Sequence, residues 1–213
     1  MSLNIDHTEE EQVEALKRWW KNYGPSIVVG VVLGGSLIAG NKWWQSHKLE
    51  QAESGSAVYA QVLRAYESRD INRARDLAAD LVSKHSGSAY SDLANLLLAR
   101  IAFDAGEKDK AAGHLEAAMN STYDNGVKNA ARLRLARVLE AGGDTDKALA
   151  VIADATGISG FEADYAELRG DLMLSRGDRG AARAAYTEAV KHASSNPEYM
   201  RIVKMKLANL GAN

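Results

Sequence analysis

The side chains best suited to chemistry are few and far apart along this chain. None of the five histidines lies in an HExxH motif or at another metal-ligand spacing, and we interpret them as single exposed residues: His7, His47, His85, His114 and His192. Cysteine is absent, which excludes disulfides, thiolate metal sites and a cysteine nucleophile. The serines lack a GxSxG elbow, and no glycine-rich loop has the spacing that cradles phosphate. The sequence therefore predicts no metal site and no cofactor.

Closely spaced carboxylates are the remaining candidates for acid–base chemistry. Asp144 and Asp146 form one such pair, and Glu162 and Asp164 form another. Both pairs occur where we expect helices to begin, and the positive end of the helix dipole favours negative charge there without any catalytic role. We therefore predict that the chain is not an enzyme.

The composition indicates which elements hold these residues. Alanine, leucine, arginine and glutamate are abundant and there are only two prolines, so we predict an all-α fold. The residues beyond position 48 are numerous enough for one domain with a hydrophobic core. The net charge is −2, and the balanced charges offer no concentrated basic face for nucleic acid.

A long uncharged segment, residues 22–41, is the most conspicuous feature of the N-terminal part. A helix of that length measures about 30 Å, which matches the hydrocarbon thickness of a bilayer. Tryptophan pairs at 19–20 and 43–44 bracket it, as in the aromatic belts of membrane proteins. We therefore predict a single transmembrane helix and neck at 24–48, in contact with membrane lipid, rather than a buried helix of a soluble domain.

A cleaved secretory signal is the main alternative for this segment, because its apolar core at 27–39 is short and Ala39 could precede a cut. The segment ahead of the core is long and acidic, however, and Leu37 is bulky where a signal peptidase site requires a small residue. We therefore interpret the segment as an uncleaved anchor.

The preceding residues, 1–23, are predicted to form a cytoplasmic tail with an amphipathic helix at the membrane surface, although a simple extension of the anchor is an open alternative. The apolar stripe of this helix consists of Val13, Leu16, Trp19, Trp20 and Tyr23. We expect Gly24 and Pro25 to break the helix before the span. A slight excess of basic residues on the N-terminal side of the span favours a cytoplasmic N-terminus.

Small residues recur every four positions inside the span, at Ser26, Gly30 and Gly34. This pattern lets the backbone of another helix approach closely. We therefore predict that Ser26, Gly30 and Gly34 form a partner-binding face, while a span that is merely rich in glycine is the alternative.

An internal repeat organises the rest of the chain. The pattern of residues 98–118 recurs after 37 residues at 135–155, and a third copy follows 34 residues later at 170–189. Each copy has a small residue in its first helix, a glycine turn and an alanine in its second helix. Ala99, Ala136 and Gly170 are expected to pack against Ala111, Ala148 and Ala182. This spacing resembles that of tetratricopeptide repeats, so we predict a tetratricopeptide-like α-solenoid over 54–213.

Two further elements complete the predicted solenoid. A degenerate first copy is expected at 56–85, with helices over 56–68 and 71–85. Pro197 is expected to open a terminal helix that reaches Leu210 and serves as a lid with a polar outer face.

The first helices of the repeats are predicted to line the concave side of the solenoid. Residues one turn from the small packing positions would project into it: Arg100, Phe103, Arg137, Glu140, Asp171 and Leu174. An ordinary solvated face with local ion pairs is the alternative for each of them. A mixed surface of this kind favours weak, adaptable contacts with polypeptide.

Several segments together resemble a known family. They are QVEALKRWW at 12–20, WWQSH at 43–47, LRLAR at 133–137 and LRGD at 168–171. In this combination the chain is similar to the YfgM family of inner-membrane tetratricopeptide-like proteins. The resemblance implies an ancillary subunit of the SecYEG translocon, anchored once in the bacterial inner membrane with its N-terminus cytoplasmic and its repeat domain periplasmic.

The same resemblance implies partners rather than substrates. They are the translocon itself, the membrane-bound periplasmic chaperone PpiD and translocating polypeptides, and the family brings no catalytic residue or cofactor. A membrane-tethered scaffold for another envelope assembly is the alternative function.

Overall fold

The structure, a computed structural model, describes residues 9–122, 124–155, 158–193 and 196–211, apart from the side chains of 9–12, 15, 26, 27, 29, 31, 37 and 43–53. Within these ranges all regular secondary structure is helical, as the composition predicts. The helices are α1 (Glu9–Glu67), α2 (Ile71–Lys84), α3 (Ala89–Asp104), α4 (Lys108–Ser121), α5 (Asn125–Ala141), α6 (Thr145–Ala153), α7 (Glu162–Ser175), α8 (Arg179–His192) and α9 (Pro197–Asn209).

The chain divides into two compact units, Met1–Glu50 and Gln51–Asn213. In the first unit, α1 continues through Pro25, so the predicted break at Gly24 and Pro25 is wrong. A proline removes one backbone donor, and the hydrogen bonds on either side are sufficient to continue the helix. Most of the large apolar side chains described in this unit are exposed: Val13, Leu16, Trp19, Trp20, Tyr23, Val28, Val32, Leu33 and Ile38.

The prediction of a transmembrane helix at 24–48 is not confirmed. Within the described residues, no helix combines the length and the apolar character that crossing a membrane requires.

The second unit consists of stacked helical hairpins. Each helix from α2 onward packs against the next one in the chain, and α5 also contacts α3 and α7. The first helices of successive hairpins therefore lie side by side, which is the arrangement that the repeat predicts. The last turns of α1 act as the first helix of the degenerate copy, since Val62 packs with Ala78 and Leu81 of α2.

Small residues mediate the close packing within each hairpin. Ala99 and Ala111 share one buried cluster, and Ala136 and Ala148 share the next, as predicted. The third copy differs, because a Cβ added at Gly170 would lie 2.4 Å from a ring carbon of Tyr186. Glycine is therefore needed at position 170 to make room for an aromatic ring.

The turns between paired helices repeat one hydrogen-bonded geometry. Gly106, Gly143 and Gly177 have φ values of 78°, 91° and 82°, which L-residues with a Cβ adopt at a cost. In each turn the glycine N–H donates to the carbonyl three residues earlier, over 2.8 to 2.9 Å. The degenerate copy forms the same turn with Arg69, at φ 62°, and Arg69 N–H donates to the Tyr66 carbonyl over 3.0 Å.

The terminal helix α9 begins at Pro197 as predicted, with the Asn196 side chain capping it. Its inner face buries Val203, and Leu210 just beyond its end is also buried. The prediction of a polar outer face is wrong in part, because Ile202 and Met205 are 42% and 60% exposed there.

Candidate functional site

The six predicted concave residues occupy equivalent places on three neighbouring helices. Arg100 and Phe103 lie in the last turns of α3, Arg137 and Glu140 in those of α5, and Asp171 and Leu174 in those of α7. Each pair is separated by three residues, so its members share one helix face. Arg100, Phe103, Arg137 and Leu174 are exposed, whereas Glu140 and Asp171 are half-buried.

Three of these residues meet in one open depression of about 530 Å³, which we call the α3–α5 groove. Arg100 and Phe103 of α3 and Arg137 of α5 line it. The sequence prediction missed the rest of its lining: Tyr59, Tyr66, Leu93, Leu96, Leu97, Ala99, Leu115, Arg134 and Val138. A volume in this range suits a small ligand or a few side chains of a polypeptide.

Tyr66 is a groove residue that the sequence prediction missed, although the sequence contains the signal needed to find it. Its carbonyl accepts the turn hydrogen bond from Arg69, just as the carbonyl of Phe103 accepts the bond from Gly106. Tyr66 is therefore the counterpart of Phe103, Glu140 and Leu174 in the degenerate copy. Aligning the copies by their turns, rather than by their small residues, would have placed Tyr66 on this face.

The floor of the α3–α5 groove is apolar and aromatic. Leu93, Leu96 and Leu97 come from α3, and Phe103 of the same helix is 39% exposed. Tyr59 stands at one side, where its ring packs against Tyr90 with 5.9 Å between the centroids. Burial raises the pKa of the Tyr59 phenol, so this group stays neutral and contributes an amphipathic surface.

Three arginines provide the polar part of the same groove. Arg100 donates from Nε to Asp104 Oδ2 over 2.8 Å, and this bond raises its pKa. Arg134 and Arg137 are exposed and, within the part of the chain that the structure describes, form no ion pair. The groove therefore presents two arginines that form no ion pair among the described residues beside an apolar floor.

Asp171 lies outside the α3–α5 groove, in a charged cluster that holds α9 against α7. Lys206 Nζ of α9 is 2.7 Å from both carboxylate oxygens of Asp171 and 2.7 Å from Glu167 Oε1. Tyr186 donates its hydroxyl to Asp171 over 2.8 Å, and Tyr199 donates to Glu167 over 2.7 Å. We call these five residues the α9 clasp.

Burial and hydrogen bonding have opposite effects on the pKa values of Glu167 and Lys206 in the α9 clasp. Burial by itself would raise the pKa of Glu167, but the hydrogen bonds from Lys206 and Tyr199 outweigh it and lower the pKa. Burial would likewise lower the pKa of Lys206, yet its bonds to Asp171 and Glu167 raise the pKa. The Glu167 carboxylate and the Lys206 ammonium are thus held in their charged forms. Asp171 already has partners within the chain.

Glu140 and Leu174 are not brought into the α3–α5 groove. Both lie on the same face of the solenoid, on α5 and α7, and Leu174 is 38% exposed. Their role in binding a partner stays a prediction.

The small-residue face of the first unit is only partly described. A Cβ added at Gly30 or Gly34 would meet nothing within 4 Å, so the described helix surface there is open. The side chain of Ser26 lies outside the described residues. The role of Ser26, Gly30 and Gly34 in contacting a partner helix also stays a prediction.

The histidines and acidic residues that the structure describes form no cluster able to hold a metal ion. The interpretation of His85 and His114 as exposed residues is wrong, because both are half-buried. His114 Nδ1 lies 3.1 Å from Asn95 Oδ1 of α3. Burial lowers the pKa of His114, which favours the neutral ring. The contact between His114 and Asn95 forms only because α4 packs on α3. The residues next to His114 in the sequence therefore did not indicate that it is half-buried.

A family model described as a tetratricopeptide repeat-like domain matches residues 17–212. The ancillary SecYEG translocon subunit of Escherichia coli (strain K12) is 34% identical over 98% of this chain and 99% of its own length. The protein of the same name from Haemophilus influenzae is 31% identical over 99% of this chain and 100% of its own length. The crystal structure of the P58(IPK) TPR domain is similar over 78% of this chain and 48% of that chain, with a TM-score of 0.45 and 18% identity.

Proposed function

Because this chain belongs to the YfgM family of proteins with a tetratricopeptide repeat-like domain, we propose that it is an ancillary subunit of the SecYEG translocon and acts by binding. The near full-length similarity to relatives with that name is the observation that carries the proposal. A solenoid with an open groove supports a binding role, since extended concave surfaces are what such folds offer to polypeptides.

The proposed partners of the repeat domain are the periplasmic chaperone PpiD and translocating polypeptides. The α3–α5 groove supports this proposal, because apolar side chains and arginines line the same open depression. Unfolded or emerging chains expose apolar side chains, which such a floor would bury.

The first unit is the proposed attachment to the inner membrane, with the N-terminus cytoplasmic and the repeat domain periplasmic. The run of exposed apolar side chains on α1 supports it, because these side chains would be costly to leave in water. Tryptophans 19 and 20 are 47% and 55% exposed, and indole rings favour the headgroup region. Extraction of membranes with alkaline carbonate would test attachment, and recovery of the chain in the soluble fraction would contradict it.

Site-specific photo-crosslinking in intact cells tests the proposed function. A photoreactive residue at position 103 or 137 places the probe in the α3–α5 groove, whereas one at 147 places it on the exposed start of α6 as a control. We expect translocon subunits, PpiD or nascent secretory chains among the adducts from 103 and 137, and few adducts from 147. Position 171 is less suitable, because Asp171 is part of the α9 clasp.

The adducts also decide between the two functions that the sequence left open. Adducts with components of an unrelated envelope complex, and none with the translocon or secretory chains, would contradict the proposal. They would favour the scaffold function instead.

A further inference from the structure

The chemistry of the α3–α5 groove identifies the kind of polypeptide that fits it. We propose that the groove selects segments in which a large apolar side chain is followed, about three residues later, by a carboxylate. This inference rests on the proposed polypeptide-binding function and adds a sequence preference to it.

The apolar part of the preference comes from the floor of the groove. The half-buried Leu93 and Leu96 and the exposed Phe103 from one helix, together with the half-buried Tyr59 and Tyr66 from another, line the open groove with apolar and aromatic side chains. A leucine or aromatic side chain seated there removes apolar area from water on both partners. This contact gives affinity without regard to charge.

The acidic part of the preference comes from Arg134 and Arg137. These residues are three positions apart on α5, so they share one helix face, and both line the groove. Neither forms an ion pair among the residues described, whereas Arg100 on the opposite wall is already bonded to Asp104. A planar guanidinium binds a carboxylate through paired N–H donors, so the two free arginines favour an acidic ligand and repel a basic one.

The spacing within the ligand follows from the helix packing. Adjacent packed helices are about 8–10 Å apart, and an extended chain advances about 3.3 Å per residue. A segment that seats an apolar side chain beside Phe103 on α3 reaches the arginines of α5 about three residues later.

Fluorescence polarisation with three labelled twelve-residue peptides tests this inference on the detergent-solubilised full-length chain. All three contain Leu-Phe, followed three residues later by Asp-Glu, Asn-Gln or Lys-Lys. We expect the acidic peptide to bind about tenfold more tightly than the basic one, with the neutral peptide between them. Added salt should reduce this difference, because the charges are exposed.

Two pairs of matched variants locate the preference. R134Q/R137Q should abolish the ranking of the peptides, and each single substitution should weaken it. The control R73Q/R201Q removes two exposed arginines outside the groove and should leave the ranking intact. F103A should weaken all three peptides, whereas I202A truncates a side chain of similar exposure on α9 and should not.

Equal binding of the acidic and basic peptides, a ranking that survives in R134Q/R137Q, or no binding of any peptide would overturn the inference. None of these results affects crosslinking to the translocon, which tests the proposed function separately. Conversely, a preference for acidic peptides without translocon adducts would contradict the proposed function and leave the selectivity of the groove established.

Discussion

Arg69 occupies a left-handed backbone position that glycine fills in the three later turns. Its φ is 62°, close to the values at Gly106, Gly143 and Gly177. A side chain in this region costs about 1 kcal/mol, because Cβ approaches the following carbonyl. We expect Arg69→Gly to raise the free energy of unfolding by about 0.5–1 kcal/mol, measured by urea denaturation followed by circular dichroism.

The reverse substitution is the control for this prediction. Gly106→Arg places the same residue in the same turn of the next repeat and should lower the free energy of unfolding by about 1 kcal/mol. A loss of stability in Arg69→Gly would contradict the account of strain.

Gly170 is the residue at which two helices approach most closely in the third hairpin. Alanine there would place Cβ 2.4 Å from the ring of Tyr186, which is buried and bonded to Asp171 and so has little freedom to move. We expect Gly170→Ala to lower the free energy of unfolding by about 1–2 kcal/mol, despite the higher helix propensity of alanine.

Gly113 provides the matched comparison, because it lies in α4, is exposed, and would place an added Cβ in open space. Gly113→Ala should therefore raise stability by up to about 1 kcal/mol. Equal effects of the two substitutions in thermal denaturation would show that the close approach of Gly170 to Tyr186 is unimportant.

At the scale of elements, the α9 clasp determines how the docking of α9 depends on pH. The lowered pKa of Glu167 contributes stability that is present above its ordinary value of 4.5 and is lost as the pH falls through the lower, folded value. The raised pKa of Lys206 contributes stability that is present below its ordinary value of 10.5 and is lost as the pH rises through the higher, folded value. Docking of α9 should therefore be strongest between these limits.

Lys206→Met should weaken the docking of α9 by about 1–3 kcal/mol at neutral pH, since it leaves the buried Glu167 carboxylate and Asp171 without their cation. Burial then favours the protonated acid, so part of the loss should be recovered as the pH falls from 7 to 5. Hydrogen exchange of the α9 amides at both pH values measures this effect.

The control for the α9 clasp is Lys204→Met, which removes an exposed lysine from the same helix. It should change α9 protection little at either pH. A further loss of α9 amide protection in Lys206→Met at pH 5 would contradict the proposal that Lys206 offsets the charge of Glu167 and Asp171.

At the scale of the whole molecule, the small-residue face of α1 is predicted to contact a partner helix. Leucine at positions 30 and 34 would fill the open surface at Gly30 and Gly34 and prevent close backbone approach. We expect Gly30→Leu/Gly34→Leu to reduce recovery of the translocon with this chain by about tenfold in pull-downs from solubilised membranes.

A second double variant controls for added apolar bulk. Gly35→Leu/Ala39→Leu has the same spacing but lies on the opposite side of the helix, where both positions are exposed. It should leave recovery unchanged. Equal recovery with both double variants would show that Gly30 and Gly34 are not at the interface.

The sequence by itself determined the helices and hairpins of the repeat domain, because they depend on local patterns. The glycine turns, the small packing residues and Pro197 have signatures within a few positions of the chain. They indicated three helical hairpins around 98–118, 135–155 and 170–189, a helix at 71–85 and a terminal helix from Pro197 to Leu210. The family resemblance is likewise contained in the sequence and is confirmed by the relatives.

Only the tertiary structure decided which side chains meet across helices. Lys206 lies 35 residues from Asp171 along the chain, and it is the packing of α9 on α7 that encloses Asp171 in the clasp. The same is true of Tyr66 and Arg134, which meet Arg100 only when α1, α3 and α5 lie together. Contacts between distant positions leave no periodic signal, since each helix satisfies its own pattern whatever its neighbour presents.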